Sequence, residues 1–454
     1  MPILPIDTGR YGSPEVRHIF EEENRLKCQL DFEAAVAAAQ GETKIIPAIA
    51  SKEIVTATRS GNIKLKRIKE LESTTEHDTA AFVEALSEQC SPKAQPWVHY
   101  GLTSNDITDT STSIQMKQVF GIIETKILGL STILIRRATE FRTLPAVGRT
   151  HGQHSSIIAF GLKFAVWAAE MARHIERIEE GKKRFLLCKT LGVVGTGSLM
   201  GEKALDVQKK VAELTGLYPV DAATQIVSRE GYAEMQFLIA LIGSTLDKMA
   251  IEIRNLQRTE LGEVAEPFKL GQIGSSAVPV KRNPIKSERV SSLAKLLRSL
   301  VSVAMENILL WHERDLSNSA NERFTLPMGS ILLDEMLNSM KKVIAELVID
   351  SERILSNLEM TNGQIYAEFI LDALIKKGIP RFEAYRNIQR IAFSAQKSRE
   401  PFVKSLARDP AIARYLTIDE LKDIFNPKNH LSASSIIIDN VEKQIILTKK
   451  KISR

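Results

Sequence analysis

The sequence predicts an all-α protein: three helical domains with a central bundle of five long helices, assembling into a multi-subunit helical core. Three observations predict it. Apolar residues recur every three or four positions over long stretches, strand signals are scarce and short, and proline and glycine breaks gather toward the two ends. Residues 1–106 mix helical and polar segments interrupted by Pro47, Pro92 and Pro96, which suits an N-terminal helical domain. Residues 107–346 hold the bundle. Helical patterns run from about Thr112 to Phe141, from Ser155 to Phe185 and, at the far end, from Ser330 to Leu358. Between them lie two clear stripes: Met235, Leu238, Ile242, Leu246, Met249, Ile253 and Leu256, then Val290, Leu293, Leu297, Leu300, Ala304, Ile308 and Trp311. Each reads as a helix of roughly 25–30 residues, or about 40 Å at the α-helical rise. The same stripes suit burial against partner subunits. Residues 347–454 resume shorter segments, broken at Gly363, Gly378-Ile379-Pro380 and Pro401, and form a C-terminal helical domain. Gly192-Val193-Val194-Gly195 is the best candidate for a small β element.

A chain of 454 residues, 44% hydrophobic and 26% charged, can bury a large core without covalent staples. Cys28, Cys90 and Cys188 are odd in number and widely spaced, which excludes a disulfide framework and a zinc ribbon and fits a reduced, cytoplasmic compartment. The start, Met-Pro-Ile-Leu-Pro-Ile-Asp, lacks the basic and apolar regions of a signal peptide. No uninterrupted apolar run suggests a membrane span. The net charge of +6 suits an anionic substrate and suits weak nucleic-acid binding too, so charge alone decides nothing. Lys449-Lys450-Lys451 reads as a solvated tail.

The most informative stretch runs from Gly271 to Pro284, GQIGSSAVPVKRNP. Its glycines and serines make a loop, while Asn283 and Pro284 suit the start of a following helix. Hydroxyls, Lys281 and a helix N-terminus together make a natural anion site; the plain alternative is a basic interhelical loop. Gly195-Thr196-Gly197 with Gly201 does not match a dinucleotide fingerprint in spacing or context, and reads as a glycine turn. His151 and His154 lack a carboxylate to complete a metal site. His77-Asp78 would suit a metal-dependent phosphohydrolase only with further histidine ligands. His99 is left unassigned, with a satisfied structural histidine as the plain alternative.

The loop Gly-Ser-Ser-x-x-Pro-x-Lys-x-Asn-Pro resembles the signature loop of the fumarase/aspartase superfamily, with Val278 in place of the usual methionine and Val280 in place of a polar or aromatic residue. Further segments are similar to those of the adenylosuccinate lyase family within it: Arg10-Tyr11, Glu76-His77-Asp78, Trp97 to Asp106, Gly148 to His154, Thr224-Gln225 and Trp311 to Arg323. Ser155-Ser156-Ile157-Ile158 departs from that family's usual run. The matches fall in order over most of the chain. The resemblance implies a lyase that eliminates fumarate from adenylosuccinate and from the succinylcarboxamide intermediate of purine synthesis, with no metal or organic cofactor. It implies Ser275 as base, His151 as acid toward the departing nitrogen, Glu288 orienting that imidazole, and His77 placing substrate. Lys281 and Asn283 would hold the carboxylate that gathers charge. Arg10, Tyr11, Arg314, Ser319 and Arg323 would bind phosphate, and Thr103, Ser104 and Gln225 the succinyl part, with Asp78 also in the substrate site. A homotetramer with sites shared between subunits is implied too. Argininosuccinate lyase and cycloisomerases are the nearest alternatives, disfavoured by the phosphate-side arginines. A non-catalytic relative is disfavoured by Ser275, His151 and Lys281.

Overall fold

The computed structural model describes residues 4–269 and 271–452. It is 67% helical, and its few strands form two-stranded pairs, so the fold is all-α. Five long helices carry it: Ser104–Glu140, Gly161–Phe185, Glu230–Leu256, Ile285–Glu306 and Ser319–Glu346. The first apolar stripe faces inward; the second does so only through Ala304, because its helix ends at Glu306 and Ile308 and Trp311 beyond it are exposed. Met235, Leu246, Met249 and Ile253 are fully buried, as are Val290 and Leu297. The Ser104–Glu140 helix contains an 18-residue stretch apolar enough to cross a bilayer, unlike the sequence expectation; half of that stretch is buried within the protein. Such burial is what a core helix requires.

Contacts divide the chain into two compact units of interleaved segments. The first comprises residues 1–126, 174–244 and 292–338; the second comprises 127–173, 245–291 and 339–454. They are not the contiguous stretches 1–106, 107–346 and 347–454, because each long helix contributes residues to both units. In the second unit, Ile370, Leu374, Phe402, Leu406, Ile412 and Leu421 build one apolar core from the short C-terminal helices.

Three expectations in this part of the fold need correction. Gly192 to Gly195 is a turn, not a β element. Both glycines have left-handed φ, and the Gly195 amide donates to the Gly192 carbonyl at 3.3 Å. A Cβ at Gly195 would lie 2.0 Å from the Ala223 carbonyl oxygen, so only glycine lets these backbones meet. Conversely, residues 153–159 are not the start of a helix. Pro145–Thr150 and Gln153–Ala159 pair as an antiparallel hairpin, and the helix begins only at Gly161. Ile157 and Ala159 pack with Val147 on Leu358, Ile365 and Tyr366, so burial on one face of the hairpin overrides the helical reading. The last bundle helix likewise stops at Glu346, and Asp350 caps a separate helix, Ser351–Glu359, by accepting the Arg353 amide at 2.9 Å.

Candidate active site

The first unit contains a cleft of about 540 Å³ lined by His77, Asp78, Ser104, Arg314, Ser319 and Arg323, six of the residues singled out from the sequence. Thr103 lines an adjoining recess with His77 and Ser104. Gln225 joins the group because its side-chain oxygen accepts from Arg314 Nη1 at 3.1 Å. Arg10 and Tyr11 do not line this cleft; Arg10 is exposed, and the next two amides are held by Glu335 and Asp334.

Local chemistry sets each of these side chains. His77 caps the Asp78–Ser87 helix, its Nδ1 accepting the Ala80 amide at 3.2 Å, which leaves the proton of the neutral ring on Nε2. Asp78 lies 3.2 Å from Arg25 and 3.5 Å from Arg323. Burial pushes its carboxyl up, but Arg25, the Thr79 amide and Arg323 outweigh this and hold it below the ordinary carboxylate value. Arg314 is half-buried, and among the described residues its buried Nε has no hydrogen-bond partner. Burial lowers its pKa, yet a guanidinium stays charged near neutrality. Pro327 lines the same cleft and cannot donate within its helix, so the Arg323 carbonyl loses its usual amide partner.

Two buried ionic networks that sequence reasoning missed support the cleft. Asp106 accepts from Lys189 Nζ at 2.6 Å and from the amides of Thr103, Leu191 and Gly192. This anchors the start of the Ser104–Glu140 helix, where Thr103 and Ser104 sit. Arg229 spans Asp109 and Glu322, with bonds of 2.9 and 2.8 Å, and lies over the Tyr232 ring at 4.4 Å. The available signal was a charged residue inside an apolar run, as in Leu-Leu-Cys-Lys189-Thr-Leu, because burial of such a charge demands a partner.

The second unit holds Ser275, Lys281, Asn283, Glu288 and His151. His151 does not precede a helix directly. It occupies the two-residue turn of the hairpin with Gly152, at φ of +54° and +75°, and is exposed. A non-glycine residue in this region carries backbone strain. Arg149 below it makes a two-pronged pair with Glu263, at 2.5 and 3.2 Å, and Asn357 also bonds Glu263. Burial and the Arg149 charge push the His154 imidazole below its ordinary value, against the pull of Glu263. Glu288 is exposed, and among the described residues no hydrogen bond joins it to His151.

The serine loop has a defined interior. Ser275 Oγ accepts the amides of Ala277 and Val278 at 3.3 and 3.2 Å. Asn283 does not cap the following helix; its amide nitrogen donates to the Gly274 carbonyl at 2.9 Å. A Cβ at Gly274 would sit 2.2 Å from the Lys281 carbonyl oxygen, so the loop closes on itself only with glycine there. The helix N-terminus expected to serve an anion is already occupied. Glu266 accepts the Lys286 and Ser287 amides at 3.2 and 2.7 Å. The donors that reach the Ser275 oxygen are thus two loop amides and not the helix end.

Comparison with known proteins gives a consistent picture. A lyase family model matches residues 9–296, and a model of the adenylosuccinate lyase C-terminus matches residues 363–441. The adenylosuccinate lyase of Methanocaldococcus jannaschii is 42% identical over 446 residues, spanning 98% of this chain and 96% of that one. The adenylosuccinate lyase of Methanothermobacter thermautotrophicus is 42% identical over 442 residues, spanning 97% and 98%. Among solved structures, a fumarate lyase from Mesorhizobium sp. BNC1 superimposes with a TM-score of 0.86 at 28% identity, covering 97% of this chain and 99% of that one.

Proposed function

Because the chain belongs to the adenylosuccinate lyase family, we propose that the cleft of the first unit holds the phosphorylated end of adenylosuccinate while Ser275 and His151 carry out its elimination. The enzyme is a fumarate-releasing C–N lyase, converting adenylosuccinate to AMP and the succinylcarboxamide intermediate of purine synthesis to its carboxamide. The observation that supports the substrate placement is the gathering of His77, Ser104, Arg314, Ser319 and Arg323 around one cleft. A planar guanidinium matches two phosphate oxygens, and the unpartnered Arg314 Nε is a donor ready for one of them. Arg10 and Tyr11 are assigned to the phosphate as well, reaching it from another copy of the chain.

The reaction removes a proton from the carbon beside one carboxylate, opens the neighbouring C–N bond and leaves the electron pair on nitrogen. Ser275 is the proposed base, favoured by the two amides on its Oγ. Lys281 and Asn283 hold the carboxylate as it gathers charge. His151 donates the proton to nitrogen, with Glu288 orienting it, and His77 positions substrate. Thr103, Ser104 and Gln225 bind the succinyl part, and Asp78 holds Arg323. The mechanism requires no metal or organic cofactor. A phosphohydrolase reading is disfavoured because His77 Nδ1 already accepts an amide and two guanidinium groups adjoin Asp78, which would repel a divalent cation.

The candidate residues divide between the two units, phosphate and succinyl groups in one, base and acid in the other. The family resemblance supports a homotetramer as the active form, in which each site draws residues from three chains. The three cysteines are free and buried, which supports a cytoplasmic location. Incubation with adenylosuccinate should release fumarate and AMP in equal amounts. Failure to consume either substrate at micromolar enzyme would overturn the reading.

A further inference from the structure

The serine loop enters from the short strand Val264–Ala265, which pairs with Val348–Ile349, and leaves into the Ile285–Glu306 helix. Proline at position 284 offers no side-chain acceptor to the first amides of that helix, and Asn283 is turned to Gly274. Those amides are met from 20 and 21 residues away in sequence. Glu266, 6% exposed, accepts the amides of Lys286 and Ser287 and makes no ion pair among the described residues. Its charge is balanced by the positive end of the helix. Gln257 completes the frame: its oxygen accepts the Glu266 amide at 2.9 Å, and its nitrogen donates to the Arg282 carbonyl at 3.0 Å. Four hydrogen bonds from two side chains thus tie the entry of the loop to its exit.

We infer that Glu266 and Gln257 are positioning residues that clamp the base of the 267–284 loop, so that Ser275, Lys281 and Asn283 reach the substrate in one shared geometry. The inference rests on the reading that this loop carries the base. Loss of the clamp leaves the phosphate-side cleft intact, because that cleft belongs to the other unit. The effect therefore falls on turnover more than on substrate binding.

The experiment compares Glu266→Ala, Glu266→Gln and Gln257→Ala with wild type by steady-state kinetics and by limited trypsin digestion of the native enzyme. Trypsin reports the loop directly through Lys269, Lys281 and Arg282. Glu266→Ala should lower kcat at least ~10-fold with KM within about threefold, the pattern of a lost transition-state arrangement. Its loop should be cut faster, while circular dichroism stays native. Glu266→Gln keeps an acceptor oxygen and should recover most of kcat and of the protease resistance. Gln257→Ala, a milder change, should show the same split at smaller size. Unchanged loop cleavage in both Glu266→Ala and Gln257→Ala would overturn the clamp, and so would equal loss of activity in proportion to unfolded protein. A Ser275→Ala control separates the two readings: if it stays active, the assignment of the base fails, while loop cleavage still decides whether the clamp exists.

Discussion

Lys189 donates to Asp106 at 2.6 Å with both side chains wholly buried, directly beneath the Thr103–Ser104 corner of the candidate cleft. Removing one member of such a pair leaves the other charge uncompensated in the interior. Lys189→Met should therefore destabilise the protein by about 3–5 kcal/mol, measured by chemical denaturation. Adding Asp106→Leu should recover part of that loss, although the Thr103, Leu191 and Gly192 amides would then lack their acceptor. No recovery in the double variant would show that the amide bonds, not the ion pair, dominate.

His99 gives a pH signature. Its Nδ1 lies 2.7 Å from Glu33 in a nearly enclosed site. Burial alone would lower its pKa, but Glu33 and Asp106 outweigh burial and raise it above the ordinary histidine value. A raised folded pKa stabilises at low pH: the contribution is complete below about 6.5, the unfolded value, and is lost as pH rises through the folded value. His99→Asn, which tolerates the local φ of +58°, should thus cost most Tm near pH 6 and progressively less toward pH 9. A Tm difference independent of pH would rule out a charged His99.

Ser275→Ala should reduce kcat by at least ~10² while substrate still binds. Ser276→Ala should be mild, because only Ser275 Oγ receives the two loop amides. The reverse pattern would move the base to Ser276.

Arg314→Lys preserves charge and loses the planar fork, as well as the bond to Gln225. It should raise KM. Removing the phosphate from the substrate should then hurt wild type far more than the variant. Equal losses in both would place Arg314 away from phosphate.

The proposed sharing of sites between subunits makes a mixing prediction. His151→Ala and Ser275→Ala, each inactive, should regain partial activity after dissociation, mixing and reassociation. Mixed tetramers as inactive as the parents would mean that both residues come from one chain. An active monomer would end the shared-site reading.

The long helices were legible because a three-four apolar spacing has one economical burial, and Met235 to Ile253 keep it in the structure. Family membership was legible because short ordered motifs, from Arg10-Tyr11 to Arg323, survive in sequence whatever the fold does with them. Three features were decided only by tertiary contacts. The His151 hairpin formed because Val147 and Ile157 bury together on Tyr366, a contact between residues more than 200 positions apart. Asp106–Lys189 and Arg229–Asp109 pair charges that no local spacing connects. The helix cap expected from Asn283 came instead from Glu266, because a helix end takes whichever acceptor the fold brings within hydrogen-bond reach. Local pattern determines which segments can be helices; only the folded chain determines which polar groups meet at their ends.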